Sequence, residues 1–97
     1  MIHLVFVKMK DGPVSDALLR EFEDDFAAIA EAMAGEVLGV SLLRNCVARD
    51  QNADLLIRVE MRDPEVLPRY LEHPLHLAVR EKLLARAETL ASFDCKP

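Results

Sequence analysis

The segment Ile2–Met9, IHLVFVKM, is apolar on both faces of an extended chain. Side chains alternate along a strand, so Ile2, Leu4 and Phe6 point one way and His3, Val5, Val7 and Met9 the other. Such a strand needs cover on both sides. In 97 residues there is room for one domain, spanning 1–97, and one core. Helices packed on one face leave Ile2, Leu4 and Phe6 on the other as an exposed patch, and stacking the sheets of two chains would cover it. A homodimer is therefore expected before any family is considered. The segment also lacks the basic leader and small-residue cleavage site of a signal peptide, and Lys8 and Lys10 follow it. No apolar run approaches the roughly 20 residues of a membrane-spanning helix. The expectation is a cytoplasmic protein without a membrane partner.

The remaining pattern supplies the covering helices. Asp11-Gly12-Pro13 is a turn and Ser15 a helix N-cap. Leu19, Phe22, Phe26, Ile29 and Met33 then form one apolar stripe, which Gly35 ends. Glu21, Glu23, Asp24 and Asp25 lie mostly off the stripe and read as its solvated face. Val37–Cys46 has strand character, and Leu55, Ile57, Val59 and Met61 alternate with Leu56, Arg58, Glu60 and Arg62. Asp63-Pro64-Glu65 starts a short helix, in which Pro68 predicts a kink or a 3₁₀ turn. His73-Pro74 breaks it, and a second helix runs to about Leu90 with His76, Val79, Leu83, Ala87 and Leu90 on one stripe. Ala91–Cys95 closes as a strand.

The order is the β-α-β-β-α-β pattern of ferredoxin-like folds. The fold class is thus α+β: a four-stranded antiparallel sheet with helices on one face and the last strand beside the first. Arg58 and Glu60 would share the open face with Ile2, Leu4 and Phe6 and need partners across a dimer interface.

A net charge of −5 argues against nucleic acid and anionic membranes as partners. Arg80, Lys82 and Arg86 are interleaved with Glu81 and Glu88 and read as a solvated helix face. Cys46 and Cys95 form no motif and read as buried or partly buried thiols. No phosphate loop, dinucleotide fingerprint or nucleophile signature is present, so no cofactor is expected. His73 and His76 invite a metal reading, but no third ligand has suitable spacing.

What stands apart is His76 on a core-facing stripe, His3 on the helix side of the first strand, and Tyr70, the only tyrosine. The Pro74 break can bring Tyr70 and His76 to one cavity rim, and Asp94 can accept a hydrogen bond from either histidine. Such a set suits proton transfer: an imidazole titrates near neutrality, a carboxylate fixes its tautomer, and a phenol donates to a developing enolate oxygen. The plainer alternative is that His76 is a core histidine satisfied by one hydrogen bond.

Ile2–Lys10 and the string Tyr70-Leu71-Glu72-His73-Pro74-Leu75-His76 resemble the stress-responsive dimeric α/β-barrel family. Agreement extends through Arg44-Asn45, the Asp54–Asp63 segment and Phe93-Asp94, nearly the whole chain. The resemblance implies a protomer whose sheet meets its twin to form a dimeric α/β barrel. In a characterised plant member, olivetolic acid cyclase, residues matching His76 and Tyr70 are catalytic. By that similarity His76 would abstract a proton from an acidic methylene, Asp94 would orient His76, Tyr70 would hold the carbonyl, and His3 would complete the set. Val5, Val7, Phe22, Phe26, Ile57 and Val59 would line a pocket for an apolar small-molecule ligand. Departures from the family pattern at Leu43 and Pro68 would reshape or fill that pocket. Acid–base chemistry of a cyclase, lyase or isomerase is one implied role, and a non-enzymatic stress-response or ligand-binding dimer the other. A monooxygenase role, resting on shared architecture alone, ranks behind both.

Overall fold

A computed structural model describes all residues from Met1 to Pro97. The chain forms strand β1 (Ile2–Met9), helix α1 (Asp16–Ala32), strands β2 (Val37–Arg44) and β3 (Leu55–Met61), helices α2 (Val66–Glu72) and α3 (Pro74–Arg86), and strand β4 (Ala87–Cys95). The strands make one antiparallel sheet in the order β2-β3-β1-β4, so the last strand does pair beside the first. This is the expected ferredoxin-like α+β arrangement. No helix is long and apolar enough to cross a membrane.

Alternation decides which side chains enter the core. On β3, Leu55, Ile57, Val59 and Met61 are buried while their neighbours are half-buried, and on β1 His3, Val7 and Met9 are buried. The helices cover this side. Ser15 caps α1 by accepting the Leu18 N–H at 3.1 Å, and Phe22, Phe26 and Ile29 bring its stripe onto the sheet. Gly35, at φ +86, provides the left-handed turn that leads from α1 into β2.

Three element boundaries differ from the sequence expectation. β2 stops at Arg44 because Asn45 folds back on itself: its Oδ1 accepts the Val47 N–H and its Nδ2 donates to the Val47 carbonyl. Cys46 therefore lies in this turn and is exposed, not buried as the sequence suggests, while Cys95 is half-buried. α2 begins at Val66, with Asp63 and Pro64 carbonyls accepting three-residue bonds from Val66 and Leu67. A helix starting at Pro64 would put Pro68 in its second turn, where a carbonyl clash and a missing N–H are costly. Starting later puts Pro68 in the first turn, where no intrahelical donor is needed. The tightened 3₁₀-type bonding therefore precedes Pro68. Finally, α3 ends at Arg86 and not near Leu90. Strand pairing with β1 takes over from Ala87, whose backbone is extended, and the Arg86 carbonyl accepts the Lys10 N–H at 2.8 Å. Leu90 satisfies both periods, but an eight-pair ladder outweighs one further helical turn.

The opposite face of the sheet carries no helix. Leu43, Phe6 and Phe93 are exposed there, Phe93 by 59%. Leu43 pairs with Leu56 on this face, so it does not fill the interior.

Candidate active site between the sheet and the broken helix

The break after α2 determines the local geometry. Pro74 holds His73 in an extended conformation (φ −62, ψ 134), so one residue both ends α2 and caps α3. His73 Nδ1 accepts the Leu75 N–H at 3.1 Å. His76, one turn on, uses its own Nδ1 at 3.0 Å from the Leu71 carbonyl, an orphan group of the end of α2. A carbonyl only accepts, so Nδ1 of His76 carries the proton and Nε2 keeps a lone pair. The two histidines of the His-Pro-x-His string thus stitch two helix ends together. His73 serves as a cap, and no three His, Cys, Asp or Glu side chains converge on a metal-sized site.

The stitch places His76 against Tyr70, with ring centroids 4.5 Å apart and planes tilted by 49°. Tyr70 in turn meets His3 edge-on at 5.9 Å. In the β1–β4 ladder His3 stands directly opposite Asp94, and its Nδ1 donates to Asp94 Oδ1 at 2.5 Å. Beside this row lies a cavity of about 270 Å³. Its polar groups are His3, Tyr70, His76, Arg80, Ser92 and Asp94. The apolar walls come from Val5 and Ile57 on the sheet, Phe26 on α1, and Leu67, Leu71, Leu83, Leu90 and Ala91 around the broken helix and β4. Every lining residue stands on a helix or a strand.

Burial sets the protonation states. It pushes the Tyr70 phenol well above its ordinary range, so the hydroxyl stays protonated. The hydroxyl makes no hydrogen bond within the chain, yet no sealed side-chain polar atom lacks a partner, so it opens to the cavity. His76 is held below its ordinary value, chiefly by burial. The Leu71 hydrogen bond opposes that shift, and His3, Arg80 and His73 add to it. The pair is therefore a neutral imidazole with a free lone pair beside a phenol with a free proton.

A sequence profile described as the stress responsive A/B barrel domain matches residues 1–97. The chain belongs to this family. Similar solved structures share its fold. A protein of Arabidopsis thaliana superposes with a TM-score of 0.80 at 18% identity, covering 99% of this chain and 93% of that one. A dimeric ferredoxin-like protein of unknown function from Thermobifida fusca gives 0.76 at 13% identity, covering 95% and 85%. A hydroxynitrile lyase from Passiflora edulis gives 0.73 at 12%, covering 99% and 95%. No match was found among curated proteins.

Against the family expectation, Asp94 hydrogen-bonds His3 and not His76; the Leu71 carbonyl orients His76 instead. Of the six residues the resemblance implies for the pocket, Val5, Phe26 and Ile57 line this cavity. Val7, Phe22 and Val59 do not: each is fully buried in the core. Leu67, Leu71, Arg80, Leu83, Leu90, Ala91 and Ser92 line it as well, outside the sequence expectation. Arg80 could have been anticipated, because it lies four residues after His76 on the same helical face.

Proposed function

We propose that this protein is a homodimer whose cavity binds a small apolar carbonyl compound and moves a proton on it, as a cyclase, lyase or isomerase does. The observation that carries the reading is the phenol of Tyr70, free of any partner in the chain, beside the neutral His76 imidazole. His76 Nε2 takes a proton from a carbon next to the carbonyl, and the electron pair moves onto the carbonyl oxygen. Tyr70 donates its hydrogen bond to that oxygen as negative charge develops. The protonated His76 then returns the proton to a second atom of the substrate, which restores the resting site. His3, tied to Asp94, packs the far side of Tyr70 and limits its rotation. A lyase among the fold relatives lends support at the level of architecture only.

The test is deuterium uptake into the acidic methylene of benzoylacetone, followed by proton NMR in D₂O. Wild type is expected to exceed the buffer rate, and His76→Ala to fall back to it. Equal rates would overturn the catalytic part. Thermal stabilisation by ligand without exchange would make this a binding protein instead.

The homodimer reading rests on the uncovered face. Leu4, Phe6, Leu43, Leu56 and Phe93 form an apolar surface around Arg58 and Glu60, whose charged ends are 3.9 Å apart. Light scattering is expected to give a dimer at micromolar concentration and a monomer for Phe93→Asp; a monomeric wild type would overturn it.

A further inference from the structure

The structure assigns to Arg80 the selection of substrates that carry a carboxylate. This deepens the proposed function and rests on the cavity being a binding site.

Arg80 is the only lysine or arginine that lines the cavity. It follows His76 by one helical turn, so its stem rises along the wall that holds the imidazole. It lines the cavity and is exposed, so its guanidinium is within reach of the mouth. Five of the twelve basic side chains are held in ion pairs: Arg44 with Asp16, Arg58 with Glu60, Arg62 with Asp63, Arg69 with Glu36, and Lys82 with both Glu21 and Asp25. Lys82 is two residues from Arg80 but faces α1, whereas the side chain of Arg80 makes no ion pair or hydrogen bond with any group of the chain. Its five donors are free to meet a planar anion.

The cavity restricts that anion. Asp94 is the only carboxylate that lines it, bonded to His3 on the β4 side. A dianionic phosphate would set two charges against one guanidinium with Asp94 nearby, whereas a carboxylate matches the single fork and can keep to the α3 side. At about 270 Å³ the cavity lies near the lower end of ligand pockets, with room for one ring or a short chain. The ligand is thus a small apolar acid with a carbonyl. Its carboxylate meets Arg80, its carbonyl meets Tyr70 and His76, and its apolar part lies on Val5, Ile57 and Phe26. A bound carboxylate also offsets the charge of Arg80 that weakens His76 as a base.

Calorimetric titration with phenylpyruvate and with its uncharged methyl ester tests this, on wild type, Arg80→Gln and His76→Ala. Wild type is expected to bind the acid about tenfold tighter than the ester. Arg80→Gln is expected to lose that preference while still binding the ester, and His76→Ala to keep it. Because Arg80 has no partner in the chain, its replacement leaves the melting temperature unchanged. Equal binding of acid and ester by wild type, or an intact preference in Arg80→Gln, would overturn the role of Arg80 and leave the cavity reading standing. If neither probe bound wild type, the cavity reading would fail and the Arg80 role with it.

Discussion

The two βαβ halves of the fold solve the same packing problem differently. In β1-α1-β2 one uninterrupted helix of 17 residues crosses the sheet and seals it with Phe22, Phe26 and Ile29. In β3-α2-α3-β4 the covering helix is broken at His73-Pro74, and its buried positions include Tyr70 and His76. The continuous half uses its burial for cohesion. The broken half leaves backbone carbonyls unpaired at the joint; a histidine that satisfies one of them is thereby fixed in orientation, while its burial keeps it neutral. A cavity with chemistry in it is what remains where helix continuity is given up.

That contrast can be broken at several points, ranked here by effect on stability. Phe22→Ala in the sealed half should cost about 3–5 kcal/mol in urea unfolding, because the side chain is fully buried. His76→Leu in the broken half should cost only about 1 kcal/mol, from the Leu71 carbonyl left without its donor, while abolishing methylene exchange. A loss as large as that of Phe22→Ala would show that the two halves are equally structural. Pro74→Ala should lower stability by about 0.4–1 kcal/mol, through greater freedom of the unfolded chain. Tyr70→Phe should change it by a few tenths at most, since the hydroxyl has no partner, yet slow exchange by about 10²–10³-fold.

The pH dependence sharpens the same contrast. His76 has a folded-state pKa below its unfolded value of 6.5, so the unfolded chain takes up the proton first as pH falls. The stability this group contributes is complete above pH 6.5 and is lost as pH drops toward the folded value. Wild type should therefore lose stability more steeply than His76→Leu between pH 7 and 5 in melting-temperature scans. Parallel curves would show that His76 titrates alike in both states.

Much of this was legible in the sequence because two periods are written plainly. Alternation in Leu55–Met61 and the stripe from Leu19 to Met33 each permit one element type and one buried side. The β-α-β-β-α-β order followed, as did the closeness of Tyr70 to His76 across the proline break. What failed were distinctions that periodicity does not encode. Val7 and Val5 share a strand face, but only Val5 lies under the gap, and the gap is fixed by where α2 and α3 sit. Ala87–Leu90 fits a helix stripe as well as a strand, and the ladder with β1 decided it. The partner of Asp94 depended on register: His3 and Asp94 face each other across the ladder, which no residue spacing along the chain announces.

All the residues around the cavity belong to regular elements, and none to a connecting segment. Many enzymes acquire new substrates by lengthening or swapping surface loops on a fixed frame. This architecture closes that route. An insertion between Pro74 and His76, inside α3, would turn the imidazole about 100° around the helix axis, and one within β1 or β4 would invert every side chain beyond it. The cavity of this chain is thus open to change by single replacements of wall residues at constant length. Such replacements would keep the cavity outline while changing what fits inside, and the fixed spacing of the Tyr-x-x-His-Pro-x-His string is what holds that outline in register.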